Sequence, residues 1–383
     1  MKKALAICCA VLICTSCGRN NKDFSSESKR NIEVVLNRNI HASHMIELLV
    51  WPGEYPTRPM VINAQEHIMN FKNHPAILLS DSLLQNEIFY FDELTEVLLY
   101  MEALPSTTFK HSLESSPYRD RIDILTRWTE SIAELYIDAN LDSFFDAHEN
   151  YYLGAIDEVT KNLPDIDFVT QIESYYRDKR LKYTIIPAPE MPTGGAYGQR
   201  GIGPYVYTNN GLEIYQVISA SLPVEFDSST QQYEEFGFDY KEFVLRNSFH
   251  EFGHAFVNPV LEKEKNRSLI YEYEYLFTDE LKEVMLVQNY DNWLDCIAEH
   301  LVRLGEIRLA SRSGKEDWAE KLRHMHVREK AFILIPYFEE KIIEYENDRN
   351  KGSFEEYLPE LLRALEPLNQ SNINNDLKCR FLY

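Results

Sequence analysis

The sequence predicts an α+β fold that is mostly helical, with one small β-sheet. Three observations predict it. Apolar residues recur at helical spacing from Ile40 to Asn162 and again from Leu261 to Leu365, so each segment has a face to bury. Strand-like runs and turn residues cluster between Leu181 and Ile218. Shortly after them comes His250-Glu251-Phe252-Gly253-His254, an H-E-x-x-H pattern whose histidines fall one turn apart on the same helix face.

In chain order, Lys2 and Lys3 precede an apolar run from Ala4 to Ile13 that is too short to span a bilayer as a mature helix. The run ends in Cys14-Thr15-Ser16-Cys17-Gly18, which resembles a bacterial lipoprotein signal: residues 1–16 are removed and Cys17 becomes the lipidated first residue. Export to the bacterial cell envelope is the expectation, with a lipid anchor in the outer membrane facing the periplasm or the cell surface. A plain secreted protein is the alternative. A C-x-x-C metal or redox pair at Cys14 and Cys17 fits poorly at the end of a hydrophobic signal. Of six cysteines, only Cys296 and Cys379 then remain free of signal and lipid, so a disulfide scaffold is excluded and a single bridge stays open. Residues 17–30, rich in Ser and Asn, read as a flexible tether.

Lys and Arg number 39 against 61 Asp and Glu, a net charge of −22. Such a surface repels nucleic acid and anionic lipid headgroups, so membrane contact is expected through the lipid anchor alone. Residues 31–163 are expected to form a helical N-terminal region. Ile32–Leu36 reads as a strand and Ile40–Leu49 as a helix, and Pro52, Pro56 and Pro59 break the pattern. Helical periodicity resumes over Ala64–Phe71, Ala76–Tyr100, Tyr118–Ile137 and Leu141–Asn162, with the aromatic residues at core spacing. His41 and His44 read as surface or packing residues, since no neighbouring ligands complete a site.

Residues 164–383 are expected to form the catalytic region. Leu181–Ile186 reads as a strand. The glycine-dense stretch Pro192–Pro204 lacks the lysine and the helix of a phosphate loop. Tyr205–Thr208 and Leu212–Ile218 read as a hairpin with a type I′ turn at Asn210-Gly211. A sheet edge beside the H-E-x-x-H helix suits an extended peptide held by main-chain hydrogen bonds, with the glycine-rich loop closing over it. An ordinary surface loop and hairpin is the alternative.

Asp239 and Glu242 fit a capping box at the start of the H-E-x-x-H helix, and Pro259 marks its expected end. Phe243, Leu245, Phe249, Phe252, Ala255 and Phe256 make that helix apolar, so two histidines and a glutamate buried on it need a metal or a hydrogen-bond network. The spacing points to Zn²⁺, with His250 and His254 as ligands and Glu251 as the proton acceptor; a pair of satisfied core histidines is the alternative. Catalytic zinc takes a third protein ligand. The leading candidate is Glu299, on a helix capped by Asp291, with Arg303 four residues on to brace its carboxylate. His300 is the rival ligand, and Asp295, Glu299, Arg303 and Glu306 also describe a solvated stripe of charge pairs. Leu261–Gln288 reads as a helical connection, followed by helices over Trp318–Arg328, Ala331–Asn347 and Phe354–Leu365. His324 and His326 read as surface residues, and the tail from Asn369 as polar until Phe381-Leu382-Tyr383.

A signal, a helical and sheet region, H-E-x-x-H and a later helix with a glutamate ligand together resemble the gluzincin group of zinc metallopeptidases. The likeness covers Asp239–Asn258 and extends to Asp291–Arg303. Val257 and Val260 stand where the metzincin extension requires Gly and His, so that group is excluded. The resemblance implies a zincin-like core that hydrolyses peptide bonds of a peptide or protein substrate. His250, His254 and Glu299 would hold Zn²⁺, and Glu251 would act as general base toward a metal-activated water. Tyr197, Tyr205, Tyr271, His300 and Arg303 are candidate donors to the developing oxyanion. The rival readings are a non-catalytic surface lipoprotein that binds glycans or peptides through its aromatic residues, and a degenerate zincin with a structural metal.

Overall fold

A computed structural model describes residues 25–26, 32–51, 58–193, 198–227 and 232–379. The chain is α+β and mostly helical, around a small mixed sheet. Strands β1 (Ser25–Ser26), β2 (Glu33–Val35), β3 (Lys182–Pro187), β4 (Gly201–Ile202), β5 (Tyr205–Thr208) and β6 (Gly211–Ile218) make up that sheet. The spatial order is β1-β2-β3-β6-β4, with β5 also paired to β6. Strands β2, β3 and β6 run parallel, whereas β4 and β5 lie antiparallel along β6 as one interrupted edge. Strand β2 comes from the stretch expected as the helical N-terminal region.

The sheet separates two apolar cores. Tyr183 and Ile185 of β3, with Ile214 and Ile218 of β6, face helices Glu149–Lys161 and Phe168–Tyr176 together with the helices that follow the sheet in sequence. Ile186 of β3, with Tyr215 and Val217 of β6, faces the helices between Arg38 and Ala147. Buried on both faces, β3 and β6 need apolar residues in both alternating positions, which explains their nearly continuous Ile/Val/Tyr character.

Several expected boundaries shift, each for a physical reason. The hairpin turn is Asn209-Asn210, because Thr208 pairs directly with Gly211; neither asparagine has the positive φ of a type I′ turn, and Gly211 at φ 141° carries the unusual backbone instead. The span Ala76–Tyr100 splits into helices Pro75–Gln85 and Phe91–Leu99 around Glu87 at φ 54°. No capping box forms at Asp239. The helix is Lys241–Leu261 with Tyr240 at its N-cap, and the Asp239 carboxylate accepts a hydrogen bond from Asn162 at 2.5 Å. Asn292, not Asp291, caps the helix Trp293–Arg312, accepting from the Asp295 N–H at 3.0 Å.

Pro259 does not end its helix. A proline there cannot donate to the Ala255 carbonyl, but Arg180 Nε donates to that carbonyl at 3.0 Å, and the guanidinium lies 3.9 Å from the Phe256 ring centroid. The freed acceptor is satisfied and the helix continues to Leu261. The tail beyond Asn369 is helical over Gln370–Cys379 because Ile373 and Leu377, four apart, bury one face. Phe381, Leu382 and Tyr383 lie outside the described residues, as do the expected signal, Cys17 and most of the expected tether. Cys296 is buried and Cys379 exposed, and they do not pair. Among the described residues no helix is long and apolar enough to cross a membrane.

Candidate metal centre

Helices Lys241–Leu261 and Trp293–Arg312 pack along one another. One face of the first carries His250 and His254; the second carries Glu299, Arg303 and Glu306, which share a face at i, i+4 and i+7. The packing brings His250, His254 and Glu299 together, with one donor atom from each within 4.8 Å of the others. His254 Nε2 lies 3.2 Å from Glu299 Oε1, and His250 Nε2 lies 3.9 Å from Glu299 Oε2.

The outer ring nitrogens are fixed from behind. His250 Nδ1 lies 2.8 Å from Glu306 Oε1, and His254 Nδ1 lies 3.4 Å from Asn258 Oδ1. A carboxylate and an amide oxygen there accept from N–H, which leaves each Nε2 as the lone-pair nitrogen. Those two Nε2 atoms face one another at 3.3 Å beside a carboxylate. Three electron-rich atoms converging in a buried site repel unless a cation or a proton joins them, so this donor set fits a metal ion.

Electrostatics say the same. Burial would raise the Glu299 carboxyl, but Arg303 and the two histidines outweigh it and hold it well below the usual range. Burial would lower His254, yet the Glu299 carboxylate prevails and raises it to about 9. His250, by contrast, is pushed down to about 4 by burial. Arg303 Nη2 sits 3.0 Å from Glu299 Oε2 and donates to the Tyr290 hydroxyl at 3.2 Å. The expected brace is therefore in place geometrically.

Glu251 is buried beside the ligands, and burial raises its carboxyl to about 8. A dication at the ligand set would lower that value by direct attraction. Strand β4 presses against it: a Cβ on Gly201 would lie 2.4 Å from Glu251 Oε1, and one on Gly203 would lie 2.3 Å from the Glu251 carbonyl oxygen. Gly201 and Gly203 thus permit close approach of the sheet edge to helix Lys241–Leu261. Gly194 to Tyr197 of the same stretch lie outside the described residues.

The ligand set opens into a cleft of about 660 Å³, with an adjoining cavity of about 360 Å³ on the side of Tyr205 and Glu262. Trp51, Tyr90 and Asp92, all from the N-terminal helical layer, line the larger one. Asp92 is tied to Arg200 of the approach to β4 at 2.7 Å, and Arg200 also pairs with the buried Glu47. Tyr205 donates to Glu262 at 2.9 Å in the smaller cavity, and Tyr271 lines neither cavity.

His300 points elsewhere: its Nδ1 bonds the Cys296 carbonyl at 2.6 Å and its ring meets Phe332, so it is not brought to the ligand set. Two residues escaped the sequence reading. Glu306, taken with a solvated stripe, is 1% exposed and bridges His250 to His326, whose Nε2 lies 3.1 Å from Glu306 Oε2. His326, taken as a surface residue, is fully buried because a wide turn over His324–Glu329 aims it inward. The i+7 spacing of Glu306 from Glu299 was the available signal. His41 and His44 are buried packing residues, bonded to Glu190 and Glu47 at 2.6 and 3.0 Å.

Residues 122–364 match a family model described as a domain of unknown function (DUF4932). The chain belongs to the DUF4932 family. Comparison with curated proteins found no match, and comparison with solved structures found none. The DUF4932 stretch contains every residue of the ligand set together with Glu251, Arg303, Glu306 and His326.

Proposed function

We propose that this DUF4932 protein is a zinc-dependent metallopeptidase with a zincin-like core, hydrolysing peptide bonds. The observation that carries this reading is the convergence of two oriented lone-pair nitrogens and one carboxylate, with a buried glutamate beside them, at the base of an open cleft. His250, His254 and Glu299 would hold the ion. Zinc held there supplies Lewis-acid chemistry, polarising a carbonyl and lowering the pKa of water toward neutrality.

The chain's own residues supply the rest. Glu251 accepts a proton from the attacking water and returns it to the leaving amine. Glu306 and Asn258 keep the two imidazoles in the ligating tautomer, and Arg303 holds the Glu299 carboxylate in place. A sheet edge set directly against Glu251 suits an extended peptide chain. Export and anchoring through Cys17 complete the proposal; Cys17→Ala should leave the membrane fraction, and continued membrane retention would sink that part.

The test of the metal and base roles is zinc content and peptide-library digestion of the wild type, Glu251→Ala and Glu299→Ala. One zinc per chain is expected in the wild type and in Glu251→Ala, with weakened loading in Glu299→Ala and digestion by the wild type alone. A freshly prepared wild type without zinc would reduce the three residues to a buried hydrogen-bonded cluster.

A further inference from the structure

Arg246, His250, His254 and Asn258 follow one another at four-residue intervals on helix Lys241–Leu261, Glu262 continues the row at its C-cap, and all five line the two cavities. Arg246 stands at one end of the row and Glu262, whose carboxyl burial raises to about 7, at the other. Lys330 lines the cleft with Arg246. Desolvation, then repulsion from Arg303 and Arg246, lowers the Lys330 pKa, which puts these cations within one another's fields. Arg246 donates to the Gln199 side chain at 3.1 Å, and among the described residues neither Arg246 nor Lys330 has a carboxylate within ion-pair distance. Asp92, Glu251, Asp291, Asp295, Glu299 and Glu306 line the same cleft, and Glu306 and Glu299 partly offset the lowering of Lys330, so Arg246 and Lys330 form a cationic end of a cleft of mixed charge. Asn247, between Arg246 and the ligand face, lines the same cleft; it is 7% exposed, and its Nδ2 has no hydrogen-bond partner among the described residues. A buried amide donor without an acceptor is costly, and a ligand oxygen would offset that cost.

We propose that Arg246, Lys330 and Asn247 form a carboxylate-binding subsite, selecting substrates that carry a carboxylate near the scissile bond. The proposal rests on the peptidase reading of the same cleft. Arg246 precedes His250 by about one turn, roughly 6 Å along the axis. An extended peptide covers that in about two residues. The group recognised is therefore the free C-terminus of a chain ending one or two residues beyond the reacting carbonyl, or an Asp or Glu side chain at that position. A guanidinium with an ammonium beside it offers charge-assisted hydrogen bonds to either.

The test titrates three probes calorimetrically into the Glu251→Gln chain with saturating zinc, so that no turnover is involved. They are acetyl-trialanine with a free C-terminus, its C-terminal amide, and the amidated acetyl-Ala-Glu-Ala. At least one carboxylate-bearing probe is expected to bind about tenfold more tightly than the trialanine amide. Arg246→Gln combined with Lys330→Gln should abolish that gain and leave the amide's affinity unchanged. Preference for the free acid identifies the C-terminus as the group recognised, and preference for the glutamyl amide identifies the side chain. Equal binding of all three, or a gain that survives both substitutions, overturns the subsite while leaving the peptide cleft intact. Failure of all three to bind overturns the subsite and the peptide reading together.

Discussion

Glu306 holds its charge between two imidazoles, out of water. Burial alone would raise its carboxyl; His326 and the bond to His250 outweigh burial and hold it well below the usual range. A glutamine at this position keeps one acceptor oxygen and cannot serve both rings as a carboxylate does. Glu306→Gln should therefore weaken zinc affinity by about 10- to 100-fold while leaving the ligands themselves untouched. Competition against a chelator of known affinity measures this, and an unchanged affinity would show that His250 needs no such partner. His250, Glu251, His254 and Glu299 could be singled out in the sequence as candidates because a metal site would restrict both residue type and spacing. Glu306 and His326 could not. Their role depends on helix Trp293–Arg312 being buried on its charged face as well as on its apolar one, and that burial comes from long-range packing.

At the scale of elements, helix Lys241–Leu261 outlasts its own proline because a side chain from outside it takes the freed carbonyl. Local sequence rules placed the stop at Pro259, since they contain no term for a distant arginine. The same limit explains the misplaced caps: Asp239 finds Asn162 across the chain instead of its own helix. Removing the donor with Arg180→Met should destabilise the protein by about 1–3 kcal/mol, the cost of a buried acceptor left unpaired. Pro259→Ala restores an N–H for the Ala255 carbonyl, so Arg180→Met should cost measurably less in that background. Denaturant unfolding of the four chains in the cycle gives the coupling. Strictly additive effects would mean that Arg180 acts only through its contacts with Phe256 and Asp178.

Across the whole molecule, the N-terminal helical layer is joined to the sheet through Glu96. Its carboxylate accepts from the Tyr205 N–H of β5 at 3.0 Å and from the Tyr118 hydroxyl at 2.9 Å. Burial nonetheless raises its pKa from the ordinary 4.5 to about 8. The folded chain then keeps a proton that the unfolded chain has released, so this group favours folding most below about pH 4.5 and loses that contribution as pH rises toward 8. Glu96→Gln, which cannot ionise, should show a melting temperature that gains on the wild type between pH 5 and pH 8. Parallel profiles would mean an ordinary carboxyl. The α+β class and the helical character of both halves were legible from periodicity. The placement of helices on both faces of the sheet was not, because periodicity reports that a face is buried and not what buries it.

The sheet position has a further consequence for the family. Residues 122–364 include the ligand set, Glu251 and the cationic end of the cleft, whereas Trp51, Tyr90 and Asp92 of the opposite lip precede that stretch. The candidate metal centre and the opposite lip of its cleft thus lie in separable parts of the chain. On the proposed metallopeptidase reading, a relative that shares only the matched stretch would keep His250, His254, Glu299 and Glu251 and could carry a different lip, so that substrate preference would be free to diverge without any change at those four positions.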